Sequence, residues 1–201
     1  MSIIKLNNRG VRSATAFGSI TSLGSFVFIS KQTASSSANV DFTSGLDSTY
    51  KVYYLTFNNV HPETSGQPLR IQFREGSSAF DASIQACNFS QYHAEDGSAT
   101  SLYNETDSDA INETSLNVIR NLDGATADGC GSGYIWIFNP SDTTFVTNFN
   151  ITASYVYGGS YGAFHDKKDG YINVTSAIDG IRFNMGSGNI DSGEFCLYGI
   201  K

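Results

Sequence analysis

Apolar and polar side chains alternate along many short segments of this chain, and a period of two is typical of β-strands. In one segment Tyr134, Trp136 and Phe138 are expected on one face of a strand, with Ile135 and Ile137 on the other. Gly, Ser, Asp and Asn separate the segments, and none of the segments has the apolar stripe of an amphipathic helix. This pattern predicts an all-β fold, a jelly-roll-like β-sandwich, with an up-and-down barrel as the nearest alternative.

The chain length favours one domain over two, because 201 residues can bury a single substantial core. Residues 1–24 are rich in Gly, Ser, Asn and Thr, which predicts an extended N-terminal docking arm ahead of a sandwich domain at 25–201. The segments 94–113 and 158–170 are expected to be long loops. Strands are expected at residues 26–29, 51–57, 69–73, 82–89, 115–119, 134–138, 144–156, 171–174, 178–185 and 195–200. The last two of these strands would form a terminal hairpin.

The segment around Trp136 is expected to be a central strand, because both of its faces are apolar. The second sheet would cover one face, and the arm or a neighbouring subunit would cover the other. Charged residues make up 15% of the chain, compared with about 25% in an average globular protein. The surface is therefore largely uncharged, and we expect a homo-oligomer, with a trimer as the predicted state, that associates through apolar sheet surface.

Charge is divided unevenly between the N-terminal region and the rest of the chain. Residues 1–40 contain four basic residues and no acidic residue, a net charge of +4. Residues 41–201 contain eight basic and nineteen acidic residues, a net charge of −11. One interpretation is a basic arm that docks on an acidic surface of a partner or of another copy, and the alternative is chance. The candidate docking residues are Ile3, Ile4, Lys5, Leu6, Arg9 and Arg12.

No sequence motif indicates catalysis, a metal ion or a cofactor. His61, His93 and His165 lie in three separate segments without the spacing of metal ligands. The three cysteines lack Cys-x-x-Cys spacing and are expected to be reduced. The acidic segment 95–113 departs from the calcium-loop pattern, so a solvated loop is expected there, with a bound cation as the alternative. The chain is expected not to be an enzyme.

Nucleic acids and membranes are not expected as partners. The chain has no dense Lys/Arg cluster interleaved with aromatic residues, and its acidic body would repel phosphates. It also has neither an apolar run of about eighteen residues nor the apolar core of a signal peptide. These features predict a protein that is made and folded in a cytosol.

Aromatic residues are concentrated between positions 155 and 164. Tyr155, Tyr157, Tyr161 and Phe164 lie in a glycine-rich run that could present ring faces to a sugar, such as a host surface polysaccharide. The alternative, which we favour, is that these rings pack inside the domain at the end of a strand.

Both ends of the chain resemble a known family. The opening MSIIKLNNRGVRSATAFGS and the closing LYGIK are similar to the start and the end of small structural proteins of marine tailed bacteriophages. Residues 47–62 and 134–146 agree less specifically, so the resemblance spans most of the chain. It implies a virion component that is assembled in the cytoplasm of a bacterial host and whose partners are other virion proteins.

The expected function is therefore that of an accessory virion structural protein, in the first instance a capsid decoration or cement protein. A receptor-binding tail fibre or spike protein is the alternative, although the chain has no heptad, collagen-like or β-helical repeat that would form a shaft. A polysaccharide depolymerase is a remote alternative, because acidic residues are present without a recognisable catalytic pair.

Overall fold

A computed structural model describes residues 25–76, 78–104, 110–159 and 162–201. The predicted arm at residues 1–24 lies outside the described residues. The described residues form thirteen strands and no helix. The strands are β1 (Phe26–Ser37), β2 (Val40–Phe42), β3 (Val52–Pro62), β4 (Gln67–Arg74), β5 (Ile84–Ala94), β6 (Thr100–Asn104), β7 (Ala110–Glu113), β8 (Leu116–Leu122), β9 (Gly131–Phe138), β10 (Thr147–Val156), β11 (Gly162–Ile172), β12 (Gly180–Met185) and β13 (Ile190–Ile200).

The strands form two antiparallel sheets around one apolar core, which confirms the predicted all-β sandwich. In β3, alternate residues point inward, and Tyr53, Leu55 and Phe57 are buried. Aromatic rings join the two sheets, because the Phe57 ring centroid lies 6.4 Å from that of Phe183 in β12. Burial of these inward side chains is the main favourable term that holds the sheets together.

The large sheet has nine strands in the order β1-β13-β3-β9-β10-β11-β5-β6, and β7 also pairs with β5. The small sheet has the order β2-β12-β4-β8. β1, β13, β3 and β9 are neighbours in the large sheet, and the sheet continues beyond β9 with β10, β11, β5 and β6. β10 also packs on the small sheet, because the Phe149 ring centroid lies 5.8 Å from that of Phe73 in β4. The chain therefore crosses between the sheets repeatedly, and its first and last described strands are neighbours.

Each of the ten predicted strand segments overlaps a strand of the structure, and β9 is confirmed as a strand in the middle of the large sheet. The short strands β2, β6 and β7 were not predicted. Both β6 and β7 pair with β5, so the acidic segment expected to be a loop is partly strand. Its residues 105–109 lie outside the described residues.

Two other expectations were wrong. The last two strands do not form a hairpin, because β12 pairs with β2 and β4 in the small sheet whereas β13 pairs with β1 and β3 in the large sheet. The segment 158–170 is not one long loop, because β11 pairs along its length with β10 and β5. Inward-facing Asp166 and Lys168 interrupt the apolar alternation of β11, which hid this strand in the sequence.

Candidate functional site

The face of the large sheet that points away from the small sheet carries a group of apolar side chains on four neighbouring strands. We call this group the outer aromatic patch. Its members lie in register on β1, β13, β3 and β9, where they alternate with the core residues of the same strands. They are Phe26, Phe28, Val52, Tyr54, Tyr134, Trp136, Phe138, Tyr198 and Ile200.

The rings of the outer aromatic patch pack against one another around Tyr54. Ring centroids lie 4.6 Å from Tyr54 for Trp136, 5.2 Å for Phe26 and 5.7 Å for Tyr134. Such separations are those of favourable aromatic pairs. Burial raises the pKa of the Tyr54 phenol above its ordinary value, so this hydroxyl stays uncharged. The patch is therefore ordered by its own ring contacts and carries no charge.

The same patch remains open to solvent at its edges. Phe26 is 52% exposed and Phe28 is 57% exposed, and Tyr134 and Phe138 are each 37% exposed. Large apolar side chains that cluster in this way mark an interaction surface more often than isolated ones do. At the rim, Lys31 of β1 forms an ion pair with Glu194 of β13 at 2.7 Å, so these two opposite charges compensate each other. The outer aromatic patch is the strongest candidate for a functional surface.

A second feature of the same face is a polar cleft at the other end of the large sheet. Its volume is about 610 Å³, and its lining residues come from β5, β6, β10 and β11, together with Glu95 after β5 and Cys130 before β9. They include Gln91, His93, Thr100, Ser154, Ala163 and His165.

The polar cleft contains one contact that resembles part of a catalytic site. Ser154 Oγ lies 3.2 Å from His165 Nδ1 across the β10–β11 pair. A nucleophilic serine also requires a third group that orients the imidazole, and among the described residues Ser154 is the hydrogen-bonding partner of His165. The described residues also contain no group of three or more His, Cys, Asp and Glu side chains that could hold a metal ion. The Ser154–His165 contact is therefore a single hydrogen bond between a serine and a histidine, in a cleft that polar and apolar side chains line together.

The predicted aromatic loop is placed differently from an exposed ligand site. Tyr155 lies in β10 and Phe164 pairs with it in β11, and both side chains are buried on the inner face of the sheet. Phe164 stacks on Tyr157 at 4.3 Å and on Tyr92 at 4.9 Å. Tyr161 lies outside the described residues. These rings pack in the interior because the strand register turns positions 155 and 164 toward the core.

A buried ionic cluster lies beside these rings, and no local sequence pattern predicts it. Asp166 of β11 is fully buried and accepts hydrogen bonds from Ser90 Oγ at 2.7 Å and Tyr155 OH at 3.0 Å. Arg120 Nε of β8 lies 3.4 Å from the Asp166 carboxylate, and Lys168 Nζ lies 3.6 Å from it. Burial raises the pKa of Tyr155, so its hydroxyl remains a donor to Asp166. The cluster links the two sheets, and Asp166 and Lys168 are fully buried within it, which fits a structural role.

The candidate docking residues between Ile3 and Arg12 lie outside the described residues. The structure does describe where that part of the chain joins the fold, because the Lys201 backbone N–H donates to the Ser25 carbonyl at 2.9 Å. Phe26 and Ile200, the next residues on the two strands, belong to the outer aromatic patch. The described part of the chain therefore begins at the edge of the patch.

The three cysteines are free: Cys87 is exposed, Cys130 is half-buried and Cys196 is buried.

No model of a known protein family, no curated protein and no solved structure matches this chain. Within the described ranges, no helix is long and apolar enough to cross a membrane.

Proposed function

We propose that this protein is an accessory virion structural protein of a tailed bacteriophage, with a capsid decoration or cement protein as the specific role. The resemblance of the two chain ends to marine phage proteins is the starting point for the proposal. In this role the protein binds other virion proteins and joins the particle in the bacterial cytoplasm. It acts by binding and not by catalysis.

The order of the strands carries this proposal. Four strands in the order β1-β13-β3-β9 face four in the order β2-β12-β4-β8. We infer that these eight strands have jelly-roll wiring, an arrangement found in viral capsid proteins and also in lectins. This support is an analogy at the level of the fold, and function depends on the surfaces that the fold displays. Here the surface proposed to bind another virion protein is the basic N-terminal arm, in which Lys5, Arg9 and Arg12 would contact an acidic partner.

The test is reassembly of purified particles that lack this protein. Recombinant protein is added, and the amount that sediments with the particles is measured. We expect the wild type to bind. The charge-reversed variant K5E/R9E/R12E should remain in the supernatant, because the acidic surface on which a basic arm docks would repel it. The charge-conserving control K5R/R9K/R12K should bind, because it keeps the positive charge of the arm. Binding of the charge-reversed variant at wild-type occupancy contradicts docking through the arm, and failure of the wild type to bind contradicts the proposal itself.

Receptor binding at the tail is a second candidate, and the polar cleft favours it. Histidine, glutamine and hydroxyl side chains line this cleft beside buried aromatic rings, a combination that can hold a sugar. The two candidates differ in location, so a reconstruction of the virion that places the protein on the capsid or on the tail separates them. Self-association as a trimer stays a prediction, which sedimentation velocity of the purified protein tests.

A further inference from the structure

We propose that residues 17–23 of this chain bind over the outer aromatic patch of the same molecule. These residues lie outside the described residues, and the inference rests on the surface that they would cover. It is independent of the proposed virion function, because it concerns how one molecule completes its own surface. It also assigns separate tasks to the arm, with residues 3–12 left for docking and residues 17–23 for covering the patch.

The described chain begins at the rim of the outer aromatic patch. Ser25 accepts a hydrogen bond from the Lys201 N–H at 2.9 Å, and the next residue, Phe26, already belongs to the patch. Any segment just before Ser25 is thus tethered at the rim of an exposed apolar surface. Gly24 precedes Ser25, and glycine readily allows the chain to reverse direction and cross the sheet face.

The segment before Ser25 is long enough to cross the patch. The patch covers four strands about 4.8 Å apart and three rows of side chains about 6.8 Å apart, which is roughly 20 Å on a side with side chains included. Eight extended residues, the separation of Phe17 from Ser25, span about 26 Å. Residues 17–23 can therefore cross the patch completely. A tether this short also gives the segment an effective concentration of about a millimolar or more, which a separate molecule would seldom match.

The patch is small compared with a specific protein–protein interface. A surface about 20 Å on a side presents roughly 400 Å², whereas each partner in a specific protein–protein contact buries about 800 Å². The patch by itself is thus too small for a stable contact with a second folded copy. It matches the footprint of a single extended segment of six to eight residues, which is roughly 20–27 Å long.

The patch and residues 17–23 are both uncharged, and both carry apolar side chains. The patch has no charged member, and residues 17–23 read FGSITSL, with Phe17, Ile20 and Leu23 as apolar side chains and no charge. The basic residues nearest to this segment are Arg12 and Lys31, outside it on either side. An uncharged segment loses no favourable hydration of ions when it covers an uncharged surface. Burial of three apolar side chains against the rings then favours the bound state.

The experiment uses the full chain and its single tryptophan. Trp136 lies within the patch, so its emission wavelength and its quenching by acrylamide report whether the patch is covered. The variant F17D/I20D/L23D removes the apolar side chains. The matched control S19D/T21D/S22D adds the same three charges to the same segment but keeps those side chains. We expect red-shifted emission and stronger quenching in the first variant, and wild-type behaviour in the control.

A second measurement adds a synthetic peptide of residues 15–24 to the F17D/I20D/L23D variant, which should restore the weaker quenching, whereas a peptide with the three Asp substitutions should not. Circular dichroism and urea unfolding establish that both variants are folded. Three outcomes overturn the proposal: Trp136 equally quenched in all three proteins, equal changes in both variants, or protection in the wild type that grows with protein concentration. The last would assign the patch to a second copy.

Discussion

Asp123 shows how a single side chain stabilises a crossover between the sheets. It follows β8 and is 1% exposed. Its carboxylate accepts hydrogen bonds from the Ala125 N–H at 3.0 Å, the Thr126 N–H at 3.3 Å and Ser65 Oγ at 3.0 Å. Burial alone would raise the pKa of Asp123, but the hydrogen bonds from Thr126, Ala125 and Ser65 lower it below the ordinary value. The ionised carboxylate therefore contributes to stability.

We expect Asp123→Asn to lower the free energy of unfolding by about 1–3 kcal/mol at pH 7, because the amide cannot accept all of these bonds. A lowered pKa in the folded state means that this contribution is fully present above the unfolded value of about 3.9 and is lost as pH falls through the folded value. Urea unfolding at several pH values should show the wild type and the variant converging in acid. The exposed neighbour Asp128 is the control, and an Asp128→Asn variant with the same pH dependence would contradict this account.

Asp166 permits a second prediction at the residue scale, because it is the negative member of the buried ionic cluster. Asp166→Asn leaves Arg120 and Lys168 without their carboxylate, and breaking such a buried group costs about 3–5 kcal/mol. Asp169, three positions further along β11, pairs with Lys167 on the outer face, so Asp169→Asn should cost about 1 kcal/mol or less. Urea unfolding measures both. Equal losses in the two variants would mean that the buried cluster is not a structural link.

At the scale of elements, β9 is apolar on both faces, but the two faces have different environments. Ile137 is fully buried in the core, whereas Phe138, the next residue, is 37% exposed on the outer aromatic patch. We expect Ile137→Ala to cost about 2–5 kcal/mol, since it leaves a cavity between the sheets. Phe138→Ala should cost less than Ile137→Ala, because a side chain at the edge of the patch would be covered by no more than one extended segment, whereas Ile137 is enclosed between two sheets. Chemical denaturation of both variants provides the comparison, and a loss for Phe138→Ala as large as that for Ile137→Ala would place the outer face in the stabilising core.

At the scale of the whole molecule, β13 lies between β1 and β3, which brings Lys201 next to Ser25. A circular permutant can therefore join these two residues by a short linker and open the chain elsewhere. We expect a permutant opened at the exposed turn between Asp96 and Gly97 to fold, and one opened inside β9 to fail. Circular dichroism and cooperative urea unfolding distinguish the two. Failure of the first permutant would show that the closeness of the two ends is not enough to specify the fold.

The strands of the sandwich could be predicted because alternation is a local property. Residues such as Ile181 and Phe183 reveal a strand by their spacing alone, and the two apolar faces of β9 correctly indicated a central position. The spacing holds no information on which sheet a strand joins. That choice depends on pairing between residues far apart in the chain, and the hairpin expected at the C-terminus was wrong for this reason.

Alternation in the sequence by itself determined the class of fold, the run of most strands and the presence of an apolar face beyond what one core needs, since each follows from side-chain periodicity. Only the tertiary structure decided how four strands combine their outward rings into the outer aromatic patch. It also turned Tyr155 and Phe164 inward and made β11 a strand. Inward-facing Asp166 is tolerated there because Arg120 of β8, a strand of the other sheet, compensates its charge, and no local pattern records such a partner.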